Sequence, residues 1–291
     1  MGRPESLQRW HDEGSFVEHR GRRIFVHQAG PGDAADGVLI LHGFPSSSHD
    51  WAEIVPRLAP RTRVIAFDLL GYGLSDKPAE GPFSFYAQAD LAEAVTRAAG
   101  LETCVLVSHD VGQTVAAELM ARQEEGALSS LRIRHSIVTN GSTLVDLAEL
   151  SAGQKALLAL PDEPLERPLP LEGFRDAIRD TFSREHLPTE ADLDCMLASI
   201  RENGGDRLIP RLIRYIEERR ANLERWTTGL AGFSAPVSVF WGEQDPIAVP
   251  AMARRIGELR PATDVHLWPD VGHWPPLEVP ERMAEAIRER L

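Results

Sequence analysis

The sequence predicts an α/β protein: a mostly parallel sheet flanked by helices, with a helical cap inserted after the sixth strand. Three observations lead there. Short apolar runs such as GVLILHG, RVIAFDLLG and ETCVLVSHD read as strands buried on both faces. Amphipathic helical patterns separate them, giving the strand–helix–strand rhythm of a parallel sheet. From about Gly141 to about Gly232 the rhythm stops, and only short helical stretches remain.

SFVEHRG and RRIFVHQAG read as two antiparallel strands joined at a glycine turn. The strand Gly37 to Gly43 is followed by a helix around Trp51 to Leu58, and RVIAFDLLG then repeats the buried pattern. A longer amphipathic helix, Phe83 to Ala99, leads into ETCVLVSHD. The segment VGQTVAAELMARQ is helical, and IRHSIVTNG is the sixth strand. Four helical stretches follow, Leu147–Leu160, Gly173–Phe182, Glu190–Ile200 and Asp206–Arg225, interrupted by the proline-rich LPDEPLERPLPLEG. Strands return with APVSVFWGEQD and TDVHLWPDVGH, each followed by a helix, the last from Pro280. The expected division is a core of residues 1–141 and 233–291 with a cap of 142–232.

At 291 residues and 43% apolar composition, the chain can bury a core without disulfides or metals. Its formal net charge of −13 argues against a nucleic-acid partner and suits a small-molecule substrate, neutral and partly apolar. Cys104 lies in an apolar run, and neither it nor Cys195 has metal-ligand spacing. No leader-like or membrane-spanning segment is read, so the expected location is cytoplasmic. No cofactor fingerprint and no metal motif are found; self-association into a homo-oligomer is left open.

The most informative segment is CVLVSHDVGQTVAAEL. A strand runs into Ser108-His109-Asp110-Val111-Gly112 and straight on into a helix. This is the small-x-nucleophile-x-small pattern of a nucleophile elbow, a strained turn that lifts one side chain above the sheet edge. The central residue is Asp110. Ser108 as nucleophile would be flanked by Leu106 and Asp110, neither small. A helix-capping aspartate is the plainer alternative. Three further segments favour the elbow. In LHGFP, Gly43 lets the chain turn so that the N–H of Phe44, with that of Val111, can form an oxyanion hole. Asp245 follows a buried strand in WGEQDPI. His273 follows the last strand in PDVGHWPP. Nucleophile, acid and base thus come in the order Asp110, Asp245, His273.

The motifs HGFPSSSHDW, DLLGYGLSDKP, VSHDVGQTVAAEL, GEQDPI and VGHWPPLEVPE, spread over nearly the whole core, resemble those of α/β-hydrolases. The resemblance is to the aspartate-nucleophile branch, which contains epoxide hydrolases and haloalkane or haloacetate dehalogenases. Within it the chain is similar to the mesoderm-specific-transcript group, which shares the SHD-x-G elbow. Chemistry agrees with the branch. A carboxylate attacking an ester gains little, whereas attack on saturated carbon gives a stable alkyl-enzyme ester. His273, oriented by Asp245, would then activate a water to hydrolyse it.

The leaving group separates the two substrate classes. A halide needs N–H donors, which the resemblance would place on a Trp after the nucleophile; here that residue is Val111, and Phe44 offers no donor side chain. An epoxide oxygen needs a proton donor from the cap, where the family supplies two tyrosines. Tyr72 and Tyr86 lie outside the cap, leaving Tyr215, at close to the family's spacing before Asp245 but followed by Ile-Glu instead of Arg-Asn. No tyrosine occurs in the early cap, and His186 is a weak substitute. Trp51 is expected to pack under the site, Trp274 to wall the pocket, and Trp226 and Trp241 to lie in the core. The expected activity is therefore epoxide hydrolysis, with dehalogenation or a non-catalytic ligand-binding role as alternatives.

Overall fold

The computed structural model describes residues 2–291. A helix, α1 (Glu5–Glu13), precedes the antiparallel pair β1 (Ser15–His19) and β2 (Arg22–Ala29). Then come β3 (Asp36–Leu41), α2 (Val55–Leu58), β4 (Arg63–Phe67), α3 (Phe85–Ala99), β5 (Thr103–His109), α4 (Val111–Glu124) and β6 (Arg132–Thr139). After the cap, the chain returns with β7 (Val237–Gly242), α11 (Pro250–Leu259), β8 (Asp264–Trp268), α12 (Pro275–Glu278) and α13 (Pro280–Arg288). The eight strands form one sheet in the order β1-β2-β4-β3-β5-β6-β7-β8, parallel from β4 to β8.

Position in the sheet explains the strand sequences. The central strands β4 and β7 are buried throughout, hence their continuous apolar runs. The edge strands β1 and β8 alternate exposed and less exposed residues. Successive side chains of β3 point to opposite faces. Leu39 and Leu41 join α3, α4, α11 and the helix before β7, α10 (Leu223–Gly232), in one apolar layer, while Val38 and Ile40 join α1, α2 and α13 in the other. Helix α4 is buried from Val111 to Ala121, because it packs against both α3 and α10 as well as the sheet.

Between β6 and β7 the described chain is helical: α5 (Ala152–Leu158), α6 (Glu172–Arg179), α7 (Glu190–Arg201), α8 (Ile209–Leu212), α9 (Tyr215–Ala221) and α10 (Leu223–Gly232), with two 3-10 turns. Two expectations need correction. The helix expected over Asp206–Arg225 is broken into a 3-10 turn, α8, α9 and the start of α10. Asn203 and Gly204, with left-handed φ of 52° and 75°, kink the chain just ahead of that stretch; Pro210 can stand only in the first turn of a helix, so α8 starts there; and Asn222 (φ −120°, ψ 21°) separates α9 from α10. The helix expected over Leu147–Leu160 begins only at Ala152, where Ser151 caps it. Helix α1 was not expected at all; its Leu7 and Trp10 are buried in the lower layer.

Candidate active site

Asp110 stands between β5 and α4 with φ 45° and ψ −112°, a conformation that costs a non-glycine residue roughly 1–3 kcal/mol. The turn is tight because α4 starts against the β3 end. A Cβ on Gly112 would lie 2.6 Å from the Leu41 carbonyl oxygen and 2.8 Å from that of His42. Ser108 is fully buried and its hydroxyl donates to the Ile137 carbonyl (3.3 Å), inside the sheet and not above it.

The two carboxylate oxygens of Asp110 differ. Oδ2 accepts the Phe44 N–H at 2.9 Å. Oδ1 is buried and has no hydrogen-bond partner. The loop carrying Phe44 is held by His42, whose Nδ1–H donates to the Gly43 carbonyl (2.8 Å) and whose Nε2 accepts the Leu69 N–H (3.0 Å). Burial pushes the His42 pKa down, so it serves as a neutral brace. Val111, the first residue of α4, follows Asp110 directly.

His273 donates from Nδ1 to Asp245 Oδ2 at 2.8 Å, leaving Nε2 for the cavity that His273 lines. Burial alone would push the His273 pKa down. The carboxylates of Asp245 and, further off, Asp110 outweigh it, and the net direction is upward. Asp245 is itself fixed: Oδ1 accepts the N–H groups of Ile247 (2.7 Å) and Ala248 (2.9 Å), and Oδ2 accepts Asn140 Nδ2 (2.7 Å). Asp110, Asp245 and His273, far apart in sequence, are therefore brought to one place at the carboxyl ends of the strands.

Above them, between sheet and cap, lies a cavity of about 350 Å³, within the size range of small-molecule sites. Its walls are mostly apolar and include Leu157, Leu169, Phe174, Ile178 and Ile247, with Trp274 beside His273. Tyr215 enters from α9 and Gln154 from α5. Burial and the nearby Asp110 carboxylate push the Tyr215 pKa up, so the phenol keeps its proton; Gln154 stabilises its anion. Trp274 Nε1 donates to Thr181 Oγ1 (2.7 Å). Tyr72 packs on His42 and Phe44, and Tyr86 donates to Asn222 Oδ1 (2.9 Å), so neither faces the cavity. His186 pairs with Asp270 (3.3 Å) outside it. Trp51, Trp226 and Trp241 are fully buried.

Three site residues escaped the sequence reading. Asn140, at the end of β6, accepts the Gly242 N–H (3.0 Å) while bonding Asp245. Glu278 accepts the N–H groups of Gly272 (2.8 Å), Trp274 (2.9 Å) and Ser183 (3.0 Å), clamping the loop that carries His273. Arg219 is 1% exposed and reaches Asp110 from the cap. For Arg219 one signal existed: it follows Tyr215 by one helical turn and so shares its face.

A parallel sheet with a strained elbow after β5, an acid after β7 and a histidine after β8 defines the α/β-hydrolase class. The chain belongs to the alpha/beta hydrolase fold family, whose pattern matches residues 37–280. Among its relatives, the LipZ protein of Mycobacterium tuberculosis is 33% identical over 97% of this chain and 96% of its own length. The mesoderm-specific transcript protein of Mus musculus is 34% identical over 94% and 84%. Epoxide hydrolase 3 of Mus musculus is 26% identical over 92% and 73%. Among the described residues no helix is long and apolar enough to cross a membrane, and no cluster of three or more His, Cys, Asp or Glu side chains is arranged to hold a metal.

Proposed function

We propose that this hydrolase opens epoxides to vicinal diols through an alkyl ester on Asp110, with residues 142–232 acting as the lid over the site. The observation that carries the reading is the asymmetry of the Asp110 carboxylate. Oδ2 already accepts the Phe44 N–H, so it becomes the carbonyl oxygen of the ester, and the unbonded Oδ1 attacks. In the first step an Oδ1 lone pair forms a bond to an epoxide carbon. The ring C–O bond breaks, and its oxygen takes the proton of Tyr215. In the second, His273 Nε2 takes a proton from water and the hydroxide adds to the Asp110 carbonyl carbon. Negative charge collects on Oδ2, opposite the N–H groups of Phe44 and Val111. Collapse expels Oδ1 with the product. The two protons of the water end on the second product hydroxyl and on the Tyr215 oxygen.

Leaving-group chemistry favours an epoxide over a halide. Trp274 is the cavity-lining indole, and its N–H is committed to Thr181, so it offers no donor to a halide. Tyr215 keeps its proton for an alkoxide, and Gln154 beside it takes the place of a second tyrosine. Among the described residues, the cavity walls carry no charged side chain besides Asp110 and His273, which suits a neutral, largely hydrocarbon substrate.

The test is an intact-mass measurement on His273→Gln, which keeps the nucleophile but loses the base. Mixed with styrene oxide, cyclohexene oxide or longer alkyl epoxides, it should gain the mass of one whole epoxide, with no gain in Asp110→Asn. A gain equal to an alkyl group without halogen, from alkyl halides only, would reassign the enzyme to dehalogenation. No adduct from either panel would remove the nucleophile role.

A further inference from the structure

Arg219 is a guanidinium buried deep in the molecule, at 1% exposure, and no step above uses it. It projects from α9, one turn beyond Tyr215, and lies over the Tyr215 ring at 4.6 Å and the Phe85 ring at 5.5 Å. Its Nε donates to Thr114 Oγ1 (2.8 Å) on α4, which fixes the plane of the group. Its Nη2 donates to the Asp110 backbone carbonyl oxygen (3.0 Å) and stands 3.6 Å from Asp110 Oδ1. The fully bonded oxygen, Oδ2, is on the other side, at Phe44. The cation therefore stands beside the one carboxylate oxygen that has no hydrogen bond.

Resting on the nucleophile role proposed above, we infer that Arg219 serves the second step, by stabilising Oδ1 as it departs. Before attack, the 3.6 Å separation leaves the Oδ1 lone pairs free while Arg219 balances the buried carboxylate charge. Alkylation removes that charge and leaves the guanidinium beside a neutral ester and the Tyr215 phenolate. When the tetrahedral intermediate collapses, the C–Oδ1 bond breaks and its electron pair stays on Oδ1. Negative charge then reappears on the oxygen 3.6 Å from Nη2, and the protonated His273 neutralises it. The Phe44 and Val111 N–H groups stabilise the charge on Oδ2, and Arg219 the charge on Oδ1. Each of the two original carboxylate oxygens then has its own donor, and the cap supplies one of them. An interaction that is weak in the ester and strong in the transition state accelerates the step it faces.

The test separates the two steps in the full-length protein, using the epoxide that best labels His273→Gln. Wild type should show only transient adduct. Arg219→Met should hydrolyse the adduct about 100-fold more slowly, the scale of losing one preorganised donor, and should slow alkylation, in which Arg219 faces Tyr215, by a factor at least about tenfold smaller, so alkyl-enzyme accumulates in the mass spectrum. Arg219→Lys should fall between them. In Arg219→Ala, millimolar guanidinium should restore adduct hydrolysis by more than it speeds alkylation. Should the Met and Ala variants fail to fold, Thr114→Val keeps the cation but frees its plane, and should show the same second-step defect on a smaller scale. Unimpaired adduct hydrolysis in Arg219→Met sinks this inference and leaves the nucleophile role standing. So does equal slowing of both steps without guanidinium rescue. Absence of adduct in His273→Gln sinks both.

Discussion

The sheet core and the cap meet at the same cavity but are built differently. In the core the groups proposed to react are held from behind: Asp245 by two backbone N–H groups and Asn140, the His273 loop by Glu278, and the Phe44 loop beside Asp110 by His42. In the cap, α5 has no buried residue and is started by a reciprocal bond between Ser151 and Gln154. Yet α5 and α6 provide much of the cavity wall. The difference teaches where reaction and selectivity reside. Under the proposed mechanism the reacting atoms lie where bracing is densest, and the wall that would meet the substrate comes from α5 and α6, of whose residues only Ile178 is buried.

Breaking a brace should have the largest effect. Asp245→Asn removes the carboxylate that orients and stabilises protonated His273, and turnover should fall about 10²- to 10⁴-fold. The pH dependence sharpens the test. His273 must be neutral to take a proton from water, and its pKa is raised. Wild-type kcat should therefore rise with pH through an ionisation above the ordinary histidine value of about 6.5. Asp245→Asn removes a main cause of that rise, so its residual activity should survive to lower pH. A pH–rate profile of both proteins checks this; an unshifted midpoint would detach His273 from Asp245.

A matched pair of truncations tests the contrast directly. Phe174 lines the cavity from α6 and is only partly buried, whereas Leu106 is fully buried in β5. Phe174→Ala should raise KM about 10-fold or more, since burying an aromatic ring is worth roughly 1.5–3 kcal/mol, and should move Tm by less than about 2 °C. Leu106→Ala should cost roughly 3 kcal/mol of stability and leave KM nearly unchanged in the folded enzyme. Kinetics and thermal melts on the two variants would show whether binding and stability are divided between cap and core as the packing implies.

That division also explains what was legible in the sequence. Core strands were readable because burial on both faces leaves continuous apolar runs. The elbow was readable because Gly112 has no room for a side chain. Asp245 and His273 follow strands whose ends the pattern marks. Asn140, Glu278 and Arg219 were not readable, because an Asn after a strand, a Glu near a helix start and an Arg on a charged helix look the same whether solvated or buried. Their importance comes from partners far away in sequence: Asn140 with Asp245, Glu278 with Ser183, Arg219 with Asp110. Cap boundaries were the least legible for a related reason. Short helices such as α8 and α9 are delimited by Pro210 and Asn222, whose breaks a periodic pattern smooths over.

The smallest effect expected lies just behind the Phe44 loop. Asp50 is buried, in contact with the Ser46 hydroxyl, and burial pushes its pKa up to about 8. In the unfolded chain the same group ionises near 3.9. Between those values the folded protein holds a proton that the unfolded chain has released, so stability falls as pH rises from about 4 towards 8. Below that window both states are protonated and the penalty disappears. Asp50→Asn puts a neutral group of the same shape there, whose amide oxygen can still accept from Ser46. It should raise Tm by about 2–5 °C at pH 8 and make little difference near pH 4, with turnover unchanged because Asp50 does not line the cavity. Thermal melts of both proteins across that range decide it: a stabilisation that does not shrink as pH falls would mean that Asp50 is ionised in the folded state, and that the loop beneath the site holds a charge instead of a proton.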